Sequence, residues 1–482
     1  MGIYGDLLGY ESIEVVSPYT ILELHELQIV RRINSHTTLY YTAIIPEDSS
    51  DRYIQAATAQ DRIVVGRKDG LESVEPIFMG LTTDIAVKAV QGVYFLEVQG
   101  VSHSYELDIK LKQRSFQDQT MKYKDLLQQI MTGYPGGDIT DHASQSRALE
   151  KFIYQGNETD WQFLKRMASR FHTFLIPYDL ADQPKLQFGL PEDNGEAAVI
   201  SDNIPYRIGK NLADYWELSE NYLDNLMDSD FTYYLVETGH YYPLGARVTF
   251  KQVKFVVAQS TAMLKNGSLL YEYLLCPESG LKQKPRLNWQ IVGSSLEGKV
   301  IATAKDQVKV HLDIDAKQAK ETAWWFPYAT FYTAEGNSGF YCMPQLDDHV
   351  KVYFPTAREE EGVAVNSIRK NKDGRTTQNP TIKYLGTNQG KTLKLADEEL
   401  SVTARNKQGE RLQIRMKDDT GIEIRSDHEI DITARKNLSI DVGKSASFKA
   451  KEEVQMVCGR SSIDMDGITH FKGAVVRIEP KK

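Results

Sequence analysis

The sequence predicts a mainly β protein in four parts. These are two β-rich units with inserted helices, a five-stranded OB-fold barrel, and a C-terminal intertwined triple-stranded β-helix, a prism shared by three chains. Three observations carry that prediction. Short β-rich runs recur every ten to twenty residues up to about position 290, punctuated by Gly, Pro and Asp. Five further short strands are compressed into about 75 residues after Val292-Gly293. Finally, a repeat with a period of eight occupies Ile414 to Met456.

The first unit, 1–112, has the runs Ile21-Leu22-Glu23-Leu24, Leu39 to Ile45, Arg62 to Val65, Pro76 to Thr82 and Tyr94 to Gly100. They fit a barrel or a sandwich. The second, 113–290, opens with helices. Tyr123, Leu126, Leu127 and Ile130 share one helical face that ends before Gly133. Thr159 or Asn157 can cap a second helix that buries Trp161, Leu164, Ala168 and Phe171. Strands are expected at Thr173 to Tyr178, Lys185 to Gly189, Tyr242 to Phe250 and Leu269 to Leu275.

The barrel unit, 291–370, takes its strands from Gly298 to Ala302, Val308 to Leu312, Trp324 to Tyr328, His349 to Phe354 and Val363 to Val365. OB barrels often bind oligonucleotides, which requires a basic groove with stacking aromatics. Here Glu297, Asp306, Asp313, Asp315, Asp347, Asp348 and Glu359 to Glu361 outweigh the lysines, so a structural adaptor is expected. A polar linker, 371–391, follows, and the needle part covers 392–482.

In the repeat, Ile414, Ile422, Ile430, Leu438, Ala446 and Val454 form one series, and Met416, Ile424, Ile432, Ile440, Phe448 and Met456 form a second, two residues behind. An i, i+2 pair lies on one face of a strand, and the six polar or small positions completing each period leave room for a turn. A single-chain solenoid would have too few coils to be stable. Three chains wound on one axis bury the twelve apolar positions together. The alternative is an ordinary meander of short hairpins, but the Asn-Gly or Asp-Gly turns that hairpins favour are missing between Ile422 and Met456. After Cys458 the register slips by one, with Ile463 and Met465 replacing Ser462 and Asp464.

A formal charge of −9 argues against broad nucleic-acid or anionic-membrane binding. Cys276, Cys342 and Cys458 are too widely spaced for a metal pair and point to a reducing compartment. Met1 to Asp6 lacks the basic and apolar regions of a signal peptide. There is no nucleophile elbow, zinc-protease helix, phosphate loop or Cys-x-x-Cys, so neither an enzyme nor a cofactor is expected. The carboxylate pairs Asp418-Asp419 and Asp313-x-Asp315 are expected in solvated turns or along a strand. His103, His142, His172, His240, His311, His349, His428 and His470 are dispersed. His470 lies where the prism should end, and one histidine per chain on a threefold axis would give three ligands. An exposed end-strand histidine is nevertheless the expectation, and no metal is assigned.

Several motifs, in order along the chain, resemble the VgrG-like spike and hub proteins of contractile injection machines, a family that includes phage tail baseplate hubs (late control protein D-like). They are Leu107-Asp108 with Arg114-Ser115-Phe116-Gln117; Glu158-Thr159-Asp160-Trp161 within Phe152 to Arg170; and Pro243-Leu244-Gly245-Ala246-Arg247-Val248. Gly298-Lys299-Val300, Trp324-Trp325, Gly339 to Pro344 and Asp348 to Val352 continue the likeness into the barrel, and the octads resemble the family's needle.

The resemblance implies a homotrimer made in the bacterial cytoplasm, with two hub β-barrels joined to the inner tube and baseplate, an OB collar and a piercing needle. A cone-shaped, PAAR-like tip protein and effector cargo are the implied partners, nucleic acid is not, and contact with the target envelope is transient. No lysozyme domain fits between collar and needle, because only about twenty polar residues, Lys370 to Gln389, occupy that place. The rival from another class is a trimeric tailspike-type enzyme degrading surface polysaccharide, for which six octads are few.

Overall fold

The computed structural model describes residues 8–68, 74–195, 197–334, 338–370, 379–465 and 467–477. Met1 to Asp6, most of the linker (371–378) and the final stretch 478–482 lie outside the described residues. The chain divides into two compact units, Met1–Lys370 and Asn371–Lys482.

In the first unit a twelve-stranded sheet draws on both sides of residue 112. Its order is Ile13–Val16, Arg62–Lys68, Val74–Val90, Val93–Ser102, Thr38–Ile45, Glu23–Arg32, Val253–Lys265, Ser268–Cys276, Thr232–Thr238 and Tyr206–Lys210. Arg247–Phe250 and Ala198–Val199 attach beside Val253–Lys265. The junction is the antiparallel pairing of Gln28 to Arg32 with Met263 to Gln259. Alternation decides which face is buried. Leu27, Ile29, Tyr41, Ala43, Val98, Tyr271 and Tyr273 all point into one continuous core.

A helical module interrupts the sheet. The helix Tyr123–Met131 buries Tyr123, Leu126, Leu127 and Ile130, the face its spacing predicts. The helix Asp160–Ser169 begins at Thr159, whose hydroxyl accepts from the Gln162 amide while the Gln162 side chain accepts from the Thr159 amide. Trp161, Leu164 and Ala168 are buried. Phe171 lies just past the helix end and packs edge-on against Tyr123, with ring centroids 4.8 Å apart.

The five strands Ser295–Ala304, Gln307–Leu312, Trp325–Ala329, His349–Tyr353 and Val363–Ile368 close into a barrel. The order around it is first, second, third, fifth, fourth and back to the first. Inside stand Val300, Val308, Val310, Phe326, Val350 and Val352, all fully buried. Phe152 and Tyr154 of the strand Ile153–Glu158 and its flank also join this core, Phe152 edge-on to Phe326 and Tyr154 stacked with Phe354. The barrel is therefore packed onto the helical module through aromatic contacts.

The second unit is an antiparallel meander of five strands, Lys383–Gly386, Lys391–Ala396, Glu399–Arg405, Arg411–Lys417 and Gly421–Ser426. A separate three-stranded sheet follows, Val454–Cys458, Ser461–Met465 and Thr469–Lys472. Among the described residues no helix is long and apolar enough to cross a membrane.

Candidate functional site

The first two octads are neighbouring strands of the meander. Ile414 stands opposite Ile424 and Met416 opposite Ile422. Gly421 at φ +86° closes the turn between them, a backbone conformation that glycine adopts without strain. The apolar columns continue upstream, because Val402 faces Ile414, Leu400 faces Met416, Leu393 faces Val402 and Leu395 faces Leu400. Within one chain this part is the hairpin arrangement, with Asp418 and Asp419 in an exposed turn.

Burial across this sheet is inverted. Ile422 is 71% exposed and Ile424 58%, whereas Ser401 and Gln413 on the opposite face are 4% and 8% exposed. The polar face is internally bonded. Gln413 donates to Thr403 at 3.2 Å, and Arg415 pairs with Glu423 at 3.6 Å. From 427 to 453 the single chain has no strand. Ile430, Ile432, Leu438, Ile440, Ala446 and Phe448 all lie exposed on this stretch. Strand structure resumes at Val454, which is half-buried, and Met456, which is exposed. The register slip pairs Met456 with Ile463 and Val454 with Met465. His470 stands opposite Asp464 on an exposed strand, and no group of three metal-ligating side chains occurs among the described residues. One chain thus carries a long series of apolar side chains along its C-terminal unit that it does not cover itself.

In the first unit the structure gathers polar groups that sequence reasoning missed. His36 Nδ1 is 2.8 Å from Ser104 Oγ and its Nε2 is 3.3 Å from Asp108 Oδ2, a serine–histidine–aspartate chain. This chain of bonds cannot serve hydrolysis, because Ser104 is fully buried and shares a 2.9 Å bond with Ser102. The His36 ring instead stacks on Trp161 at 4.1 Å, and Thr159 donates to Asp108. Burial pushes the Asp108 carboxyl up, but bonds from His36 and Thr159 and the nearby Lys165 ammonium hold it below the usual aspartate value. The cluster fixes the start of the helix Asp160–Ser169.

Asp160 itself is fully buried. It accepts from Tyr134 at 2.8 Å, Gln155 at 3.0 Å and Lys112 at 2.5 Å, and also pairs with Arg114. Deeper still, Arg166 bridges Glu158 at 2.8 Å and Glu359 at 2.7 Å, and Arg170 reaches Glu359 at 2.5 Å. Burial pushes Glu158 above the ordinary glutamate value despite the pull of Arg166. Two expectations are corrected here. Glu359, counted with the acidic surface, is 1% exposed and neutralised by two arginines. Asp315, expected in a solvated turn, is half-buried and accepts from the Ser115 amide at 2.9 Å and hydroxyl at 2.5 Å. Burial raises its carboxyl above the usual range.

The thiols differ in the same physical way. Burial pushes Cys276 up to about 12, whereas Cys342 and Cys458 are exposed. Two of the three thiols are expected to react with Ellman's reagent within minutes at pH 8, and Cys276 only after denaturation. A third fast thiol in the native protein would contradict this packing.

No protein-family model and no curated relative matches the sequence. Among solved structures, the E. coli c3393 protein is similar over 74% of this chain and 99% of its own, at 10% identity and a TM-score of 0.50. It is a component of the type VI secretion system with structural similarity to the T4 bacteriophage tail proteins gp27 and gp5. A chain of the lidless PdpA–VgrG complex is similar over 86% of this chain and 98% of its own, at 9% identity and a TM-score of 0.53. The half-lidded Francisella PdpA–VgrG complex gives 88% of both chains, 8% identity and a TM-score of 0.53. The chain has the fold of the VgrG-like hub and spike proteins.

Proposed function

We propose that this chain is the homotrimeric hub and spike of a contractile injection machine, joining the inner tube and baseplate to a puncturing tip. The observation that carries the reading is the inverted burial of the C-terminal unit, where isoleucines lie open and Ser401 and Gln413 are enclosed. Two further copies would cover those columns and supply the strand partners that 427–453 lacks in one chain. The shared β-helix becomes the needle, and its stiffness comes from backbone hydrogen bonds and apolar columns distributed over three chains.

The stretches 1–112 and 113–290 would form the hub together, around the twelve-stranded sheet to which both contribute, in place of two separate barrels. The closed barrel of 291–370 is the collar, and its strand order supports an OB-type assignment. A cone-shaped, PAAR-like tip protein would seat on the C-terminal sheet, and effectors would ride on the spike; the PdpA–VgrG complexes show a VgrG bound to a partner protein. The role is mechanical and not catalytic. Native mass measurement is expected to give three chains, and incubation with surface polysaccharide or peptidoglycan to give no products. A monomer would sink the reading, and turnover abolished by changing one carboxylate would replace it with a tailspike-type enzyme.

A further inference from the structure

One end of the first unit gathers basic side chains on a chain of net charge −9. Lys165 of the helix Asp160–Ser169 and Arg286 of the segment leading to the barrel line a cleft of about 380 Å³, rimmed by Trp289. Glu158 also lines it, but its carboxylate is held by Arg166 at 2.8 Å, and Lys284 is paired with Glu217 at 2.6 Å. Lys165 and Arg286 have no ion-pair partner among the described residues. Burial and the neighbouring Arg286 charge hold the Lys165 ammonium below the usual lysine value, against the pull of the nearby Asp108 carboxylate. Trp289 is 72% exposed at the mouth, an aromatic surface that a docked chain would cover.

The opposite charge is found at the other end of the same strands. Asn34, in the turn before Thr38–Ile45, donates to Gln283 at 3.1 Å, which places the basic segment there. Beyond the far end of that strand come Glu47, Asp48 and Asp51, exposed and without an ion pair among the described residues. Eight residues at ~3.3 Å each separate the two ends by roughly 26 Å. Unlike patches at opposite ends of one chain are what a head-to-tail contact between identical copies requires, and such contacts close into a ring when the rotation permits.

We propose that the Lys165–Arg286 cleft receives the carboxylates of Glu47, Asp48 and Asp51 from a second copy of this chain, so that each copy grips the next around the hub. The proposal rests on the trimer reading above. It makes the hub an electrostatic clasp that salt weakens and that does not hold the copies together without the apolar needle.

The test uses the full chain with Cys342→Ser and Cys458→Ser, adding Asp48→Cys together with Arg286→Cys and treating the native protein with a short bis-maleimide. Covalent dimers and trimers are expected from the double variant and none from either single variant. Adding Lys165→Glu should lower their yield by roughly tenfold or more. Asp51→Cys with Arg286→Cys is a second pair should the first melt early. A native trimer that gives no product from either pair overturns the clasp and leaves the trimer reading standing. Products larger than a trimer also overturn it, since they would place the contact between trimers. A native monomer fails both.

Discussion

Changing Ile432 and Ile440 together to aspartate is expected to turn the proposed trimer into single chains. Both side chains are open in one copy, at 72% and 66% exposure, so within that copy the change touches no packed contact. Surface substitutions of that kind stay within about 0.5 kcal/mol. In the proposed three-chain needle the same positions would face the axis, and each substitution would crowd three carboxylates into a dry core. The cost there is several kcal/mol per level, because neither water nor a counter-charge reaches them. The variant separates the two situations cleanly. Native mass should fall threefold, while the melting of the first unit, followed by its own tryptophans, should stay where it was. A variant that remained trimeric and equally heat-resistant would mean that these columns are not the trimer core.

Physical reasons explain which parts of this architecture were open to sequence reasoning. The helix Asp160–Ser169 announces itself through a capping threonine and a 3.6-residue stripe of Trp161, Leu164 and Ala168. The barrel strands do so by alternation, since Val308, Val310 and Leu312 are all fully buried. By contrast, Val253–Lys265 escapes notice because a bulge between Val257 and Gln259 breaks its alternation and Gln259, Ser260 and Thr261 interrupt its apolar run. Pairing of that strand with Glu23–Arg32 spans more than two hundred residues, and no local pattern encodes it. The helix Leu212–Asn221 buries only Leu218, so it has no stripe to read. The octads are plain in the sequence as a period. Whether their partners lie in the same chain is not written in the period, and the structure pairs only the first two octads with each other. Charge is the hardest to place. Glu359 is one of three consecutive glutamates, and only the folded position of Arg166 and Arg170 sets it apart from Glu361, which is exposed to solvent.

That buried ion cluster carries the second large effect. Arg166→Met keeps an unbranched apolar stem and removes the charge that neutralises Glu158 and part of that on Glu359. All three groups are nearly inaccessible, with Arg166 2% exposed. The guanidinium also donates to the Tyr154 carbonyl at 2.8 Å, on the strand whose aromatic residues enter the barrel core. Removing one member of a buried pair costs about 3–5 kcal/mol, mostly from the carboxylates left without a partner. Loss of barrel docking onto the helical module is therefore expected at neutral pH, seen as an early unfolding step in urea. The pH dependence follows from the sign of the shift. Burial already raises Glu158, and without Arg166 its folded-state pKa rises further above the unfolded value of about 4.3. A carboxyl raised in this way binds more protons folded than unfolded, so stability falls as pH rises through that window. The deficit of Arg166→Met should accordingly be largest at pH 7 and shrink toward pH 5. Adding Glu158→Gln should recover a good part of it at pH 7, because the buried group is then neutral. A deficit below about 1 kcal/mol that is flat with pH would show that water or another cation reaches Glu158.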